Sequence, residues 1–333
     1  MAKLKQRMFL VLVLLSLACF SHLPLASAGA PKRVTRTQQA HGEFRRQRQL
    51  TEQWEGSASA QGQEIPIKYW GGPVMTGNPS VNVYIIYYGS WPAGSGQGVI
   101  GNFIRSLSGD SSWQGAPAEA KVKLWWAINR PYSQDVDGEM KNVSRKVRLA
   151  GIAYDDYSAG DSFEDGTVWE VVSSKIGDGN EFPYDPQGIY LLLTSKDVIN
   201  PGFCTQYCGW HTMGYMESDA VVYSYVGHPG QCPGSCGVRS TSPNGKPAID
   251  AMLSVIAHEV AEAATDPDVQ SGWFDDEGEE NADKCGWGYG STKTGRDNRG
   301  KTYEYNLVGM NGMRFLIQQN WDLLKNECVM QRK

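Results

Sequence analysis

The sequence predicts an α/β fold: a mixed β-sheet with helices packed on it and loops that carry disulfides. Apolar runs of strand length alternate along the chain with segments in which apolar residues recur at helical spacing. Hydrophobic residues make up 41% of the 333 residues and charged residues 20%, which is enough apolar material for a packed core. The 38 Gly and 16 Pro residues predict many tight turns and surface loops.

The predicted elements follow the order β-α-β-β-α-β-β-α. Residues 81–88 form a β-branched and aromatic run that ends at Gly89, and residues 98–107 place apolar side chains at helical spacing. Further strands are predicted at 121–128, 147–154, 189–194 and 220–226, with a helix at 163–176 and a cysteine-rich loop at 200–215. Residues 315–329 fit a strand or a helix equally well.

Residues 247–265 form the clearest helix in the pattern. Pro247 suits a first helical turn, and Asp266-Pro267 provides a stop. Five apolar residues between these signals follow helical spacing: Ile249, Met252, Leu253, Ile256 and Val260.

The chain begins with a pattern typical of a secretory signal peptide. Lys3, Lys5 and Arg7 precede an apolar run at 8–20, and Ala26-Ser27-Ala28 supplies small residues for cleavage after residue 28. A run of thirteen residues spans about 20 Å as a helix, which is short of the roughly 30 Å needed to cross a bilayer. We therefore expect a secreted protein without a membrane span once the signal is removed.

The charge distribution divides the remaining chain. Residues 29–64 are predicted to be a basic, disordered leader or pro-segment, and residues 65–333 a single α/β domain. Residues 56–333 hold 22 basic against 33 acidic residues, a net charge of −11. Such a surface excludes nucleic acid as a partner and disfavours anionic partners over most of its area.

Six cysteines remain outside the signal: Cys204, Cys208, Cys232, Cys236, Cys285 and Cys328. An even number in a secreted chain predicts up to three disulfides, with fifteen possible pairings. The two C-x-x-x-C motifs also allow a four-thiolate zinc site as an alternative. Asn142 begins an N-x-S sequon and is a candidate glycosylation site.

The predicted helix at 247–265 carries H-E-x-x-E at His258, Glu259 and Glu262. His258 and Glu262 lie one turn apart on the same face, where an imidazole and a carboxylate can share one zinc ion. Glu259 lies about 100° around the helix and is the candidate general base. The third ligand must come from elsewhere, and His211, Glu280 and Asp283 are the candidates.

Two other interpretations compete with zinc. Glutamates on a helix usually form a solvated face, although the small and apolar neighbours of His258 predict burial here. The acidic loop after the helix offers Asp266, Asp268, Asp275 and Asp276 as ligands for Ca²⁺. A serine nucleophile is not indicated, because the sequence has no G-x-S-x-G motif.

Several segments resemble the phosphate-induced protein/exordium family. They are residues 81–91, the motifs Pro201-Gly202-Phe203-Cys204 and Cys208-Gly209-Trp210-His211, and Gln231-Cys232-Pro233-Gly234-Ser235-Cys236. The resemblance runs from about residue 65 to the C-terminus, and is to a branch with an H-E-x-x-E helix similar to that of zinc-dependent peptidases. It implies a secreted protein of the cell wall or extracellular matrix, linked to growth and cell expansion, in a family with no established catalytic activity.

Together these observations predict a secreted, zinc-dependent hydrolase of the peptidase kind, whose substrate is an extracellular protein or wall component. The alternative is a non-catalytic extracellular protein linked to growth, in which the same residues bind a structural ion or form only a vestigial site.

Overall fold

The computed structural model describes residues 65–77, 79–108 and 121–332. The predicted signal peptide and the leader up to residue 64 lie outside the described residues. The helices are α1 (Gln97–Ser108), α2 (Val122–Trp126), α3 (Asp165–Ser174) and α4 (Pro247–Thr265). The strands are β1 (Lys68–Tyr69), β2 (Val81–Tyr88), β3 (Ser133–Val136), β4 (Glu139–Asn142), β5 (Val147–Asp155), β6 (Gly188–Thr194), β7 (Gly209–Met216), β8 (Asp219–Val226), β9 (Trp273–Phe274), β10 (Lys293–Arg296), β11 (Thr302–Tyr305), β12 (Leu307–Val308), β13 (Arg314–Phe315), β14 (Asn320–Asp322) and β15 (Glu327–Val329).

The main sheet has five strands in the order β5-β2-β6-β8-β7. Its first four strands are parallel, and β7 runs antiparallel to β8 at one edge, with Gly209 opposite Val226. The predicted mixed α/β architecture is therefore confirmed. Strand β6 (GIYLLLT) is buried along its whole length, as a central parallel strand covered on both faces should be.

Helix α4 is the element that positions the candidate site. It packs against β7 and β8, and every residue from Ile249 to Thr265 is buried. A helix buried all round belongs to the interior of a fold, so its ionisable residues cannot lie on a solvated face. Pro247 occupies the first turn, as predicted, and the helix ends before Asp266.

Two predicted elements were wrong. Residues 121–128, predicted as a strand, form α2 and a following 3₁₀ turn, because burying Val122, Trp125 and Trp126 satisfies helical spacing as well as a strand pattern. The second half of the predicted loop 200–215 is strand β7, which its mixed polar and glycine content conceals. The ambiguous stretch 315–329 contains short strands rather than a helix.

Three disulfides form, and the four-thiolate zinc site is excluded because its four cysteines are oxidised in pairs. Two of the disulfides, Cys204–Cys232 and Cys208–Cys236, connect the chain before β7 to the segment that follows β8. The C-terminal disulfide, Cys285–Cys328, connects the acidic loop after α4 to β15. Each disulfide restricts the conformations of the unfolded chain and thereby stabilises the folded state. Within the described ranges, no helix combines the length and apolarity required to cross a membrane.

Candidate metal centre

Helix α4, strand β7 and the acidic loop together bury a cluster of histidine and carboxylate side chains. Five of its members are 0% exposed: His211, His258, Glu259, Glu262 and Glu280. The side chain of Asp283, in the acidic loop, is 12% exposed. Burying this many ionisable groups is costly unless protons, hydrogen bonds or a cation neutralise them.

The first group within this cluster is centred on His258. Its Nε2 lies 2.9 Å from Glu262 Oε1 and 3.2 Å from Asp283 Oδ1. The backbone N–H of Asp283 donates to the same Glu262 oxygen over 3.0 Å, which holds the acidic loop against the helix. Ligand atoms of a tetrahedral zinc ion lie about 3.3 Å apart when each bond is about 2.0 Å. The two distances from Nε2 of His258 are close to this value, and ligand atoms of Glu262 and Asp283 lie within 4.8 Å of each other.

The second group is centred on His211 and shares Glu262. The Nδ1 atom of His211 lies 3.4 Å from Glu259 Oε2 and 3.7 Å from Glu262 Oε2. Its Nε2 lies 3.2 Å from the carbonyl oxygen of Asp266. A carbonyl can only accept, so Nε2 carries the proton and Nδ1 presents a lone pair to the two carboxylates. The two oxygens of Glu262 thus face different histidines.

The pKa values show the electrostatic cost of the cluster. Burial lowers the pKa of His211 to about 4, so this ring is neutral at neutral pH. Burial alone would also lower the pKa of His258, but Asp283, Glu259 and Gln318 together outweigh it and the pKa rises. Burial, together with nearby carboxylates, raises the pKa of Glu262 and of Glu280 well above that of an exposed glutamate.

The buried carboxylate of Glu280 lies beside the cluster without hydrogen bonds from the described chain that would offset the cost of burying it. Both of its carboxylate oxygens are buried and have no hydrogen-bond partner among the residues that the structure describes. Its Oε1 lies 3.6 Å from Nε2 of His211. A buried carboxylate in this state must hold a proton or face a cation.

The structure therefore brings together the five candidate ligands and the candidate base Glu259. Five of these six residues form two groups that share Glu262, and Glu280 lies beside the group centred on His211. The four aspartates proposed for Ca²⁺ do not form a comparable group within the described chain. Three of them accept backbone hydrogen bonds within their own loop: Asp266 from Gly272, Asp268 from Gln270 and Ser271, and Asp275 from Glu277 and Glu279. Asp276 pairs with Lys68. Asn142 is exposed at the end of β4, and its glycosylation stays a prediction.

Two residues that position the cluster were not among the candidates from the sequence. Gln318 orients His258: its Nε2 donates to the carbonyl of Ala282 over 3.0 Å and lies 2.9 Å from Nδ1 of His258. Nδ1 accepts from this amide, so Nε2 carries the ring proton that zinc would replace. Gly209, at the start of β7, allows that strand to approach α4, because a Cβ there would lie 2.8 Å from Oε1 of Glu259. A glycine at the start of a strand is a signal of close approach, whereas nothing local in the sequence marks Gln318.

The fold and the site define an α/β protein with three disulfides and a buried candidate metal centre. Residues 67–331 match the family model described as the phosphate-induced protein 1 conserved region. The chain belongs to this phosphate-induced protein 1, or exordium, family.

The chain is similar to named plant proteins over most of its length. It is 33% identical to Protein EXORDIUM-like 5 of Arabidopsis thaliana over 308 residues, covering 84% of this chain and 80% of the relative. It is also 33% identical to Protein EXORDIUM-like 3 of the same plant, covering 84% and 86%. Protein PHOSPHATE-INDUCED 1 of Nicotiana tabacum is 26% identical, covering 79% and 87%. No solved structure shows significant similarity to the chain.

Proposed function

We propose that this chain is a secreted, zinc-dependent hydrolase that cleaves peptide bonds in an extracellular or cell-wall protein. The observation that carries the proposal is the approach of His258, Glu262 and Asp283 to one another beside the carboxylate of Glu259, inside a buried part of the fold. The apolar run at 8–20 behind a basic N-terminus supports the extracellular location.

The residues present fit zinc. The proposed ligand atoms are Nε2 of His258, Oε1 of Glu262 and Oδ1 of Asp283, which are nitrogen and oxygen donors of the kind that zinc accepts. A divalent cation would also offset part of the negative charge that Glu280 adds nearby. Bound zinc would polarise the scissile carbonyl and make water more acidic.

Glu259 is the proposed general base. Its carboxylate would accept a proton from the attacking water and return that proton to the leaving amine. His211 is its positioning residue, since the neutral ring presents the lone pair of Nδ1 3.4 Å from Oε2 of Glu259. After Glu259 has taken the proton from water, its carboxyl O–H can donate a hydrogen bond to that lone pair. His211 would thereby keep the protonated carboxyl in place until the proton passes to the leaving amine.

A second candidate function follows from the burial of the cluster. Five of the six side chains are fully buried and Asp283 is 12% exposed, so an ion held here would be shielded from substrate as well as from solvent. This favours a non-catalytic extracellular protein with a structural ion, because structural zinc sites are closed whereas catalytic ones keep one position open.

Metal analysis of the purified secreted chain tests the shared part of both candidates. We expect about one equivalent of zinc after dialysis, and its loss in His258→Ala. The matched control is His228→Ala, because His228 lies outside the cluster, where its Nδ1 accepts from the N–H of Gly230. Less than half an equivalent of zinc, or equal zinc in both variants, would contradict the proposal.

The Glu259→Gln variant separates the two candidates. The amide keeps the shape of the side chain but cannot accept a proton from water, so hydrolysis of a protein substrate should fall at least about a hundredfold with zinc retained. Retention of zinc with no hydrolysis in the unmodified chain, over a broad panel of extracellular proteins, would favour the structural ion instead.

A further inference from the structure

A second site lies away from the metal cluster, where three arginines line one cavity. Arg130, Arg145 and Arg332 surround a space of about 420 Å³. Cavities of this size hold small ligands such as one or two sugar rings. The concentration of positive charge is unexpected, because residues 56–333 carry a net charge of −11.

Two of the three guanidinium groups are uncommitted. Arg332 is anchored, since its backbone N–H donates to the carbonyl of Leu124 over 2.8 Å and its Nη1 pairs with Asp322 at 2.8 Å. Among the described residues, no carboxylate lies within ion-pair distance of Arg130 or Arg145. Their donors are therefore available to an anion from outside.

The arginines are also held close enough to repel one another. Partial burial lowers the pKa of Arg130, and the positive charges of Arg145 and Arg332 lower it further. An anion placed in the cavity would relieve this repulsion while accepting hydrogen bonds from more than one guanidinium.

The remaining lining is suited to a sugar. Pro131 and Leu324 supply apolar surface, and Leu324 is 68% exposed although it is a large apolar side chain. The C–H face of a pyranose can pack on this apolar surface, whereas inorganic phosphate gains nothing from it.

We infer that the cavity lined by Arg130, Arg145 and Arg332 binds an acidic oligosaccharide through the carboxylate of a uronic acid. Planar carboxylates match the two parallel donors of a guanidinium, which is the reason for choosing arginine over lysine at such a site. The inference does not depend on the metal centre, because none of the cavity residues belongs to that cluster.

Isothermal titration calorimetry with three probes tests this binding. The chain is produced in a bacterial periplasm, where disulfides form and Asn142 carries no glycan, and a chelator is present to exclude metal-bridged binding. The probes are a trimer of galacturonic acid, a neutral glucose trimer of the same length, and inorganic phosphate. We expect saturable binding of the acidic trimer and at least about tenfold weaker binding of the other two probes.

Variants then assign the binding to the cavity. Arg145→Gln should weaken binding of the acidic trimer at least about tenfold, which is the loss expected for a charge-assisted contact. Arg148→Gln is the matched control, because Arg148 is exposed on β5, does not line the cavity and changes net charge equally. Equal losses in both variants, no binding of the acidic trimer at millimolar concentration, or phosphate binding as tight as the acidic trimer would overturn the inference.

Discussion

Replacing Glu262 by Gln should stabilise the metal-free protein and destabilise the zinc-bound protein. Glu262 is fully buried, and its carboxylate oxygens lie within 4.8 Å of ligand atoms of both Glu259 and Asp283. Without a cation, the amide removes repulsion between like charges. With zinc present, the same change removes a charged ligand.

The two effects are comparable in size. Unit charges 4.8 Å apart repel by about 3 kcal/mol at an effective dielectric constant of about 20, and protonation of the carboxyls relieves part of this. We therefore expect about 1–2 kcal/mol of added stability in chelator. At a zinc concentration 1,000 times Kd, bound zinc stabilises the unmodified chain by about 4.1 kcal/mol, and hundredfold weaker binding would leave about 1.4 kcal/mol.

Denaturant unfolding measures the free energy of unfolding with and without zinc, and the fluorescence of buried tryptophans such as Trp210 and Trp321 reports the transition. Each protein is unfolded in chelator and in buffered zinc. The control variant is Asp322→Asn, because Asp322 is equally buried but paired with Arg332, so its loss should destabilise the protein by the same amount in both buffers. If Glu262→Gln behaves like this control, the cluster is an ordinary hydrogen-bonded network and the reasoning fails.

Three further predictions concern one buried ion pair outside the site and two features next to the site. Lys175→Met should cost about 2–3 kcal/mol at pH 7, because it leaves Asp155 buried without its partner at 3.0 Å. Burial alone would raise the pKa of Asp155, but its hydrogen bonds and Lys175 lower it. The stability contributed by the ion pair is therefore present above about pH 4 and is lost as the pH falls through the lowered pKa of Asp155 in the folded protein. Urea titrations of both proteins at pH 7 and pH 3 measure the difference. Gly209→Ala should lower hydrolysis at least about tenfold with zinc retained, because the new Cβ would lie 2.7 Å from Cγ1 of Val255 and 2.8 Å from Oε1 of Glu259 and would displace both side chains. Gly234→Ala, with open space at its Cβ, should leave the rate unchanged. Replacing both cysteines of the C-terminal disulfide by serine should weaken zinc binding about tenfold or more in a competition assay, since the bond anchors the loop that carries Asp283; unchanged affinity would show that the hydrogen bond to Glu262 suffices.

The part of the site that depends on local spacing was predictable from the sequence. Three ionisable residues at one-turn and one-residue intervals, in a helix otherwise made of small and apolar residues, indicated a buried cluster before any contact was known. The sequence named His211, Glu280 and Asp283 as candidate partners of that helix but could not choose among them, and it did not mark Gln318, because sequence distance does not specify spatial distance. His211 lies 47 positions before His258 in a segment that resembled a loop, and Gln318 lies 60 positions after it.

Small residues explain how these distant segments reach the helix. Ala257, Ala261 and Ala264 are fully buried in α4, and their small side chains allow neighbouring elements to pack close to the helix axis. In β7, Gly209 has no side chain, so the strand backbone can lie close to Glu259. The residues without functional groups thus determine which functional groups meet. Substitutions that enlarge these small positions should therefore disturb the site as strongly as changes to its ligands, although none of them can bind a metal.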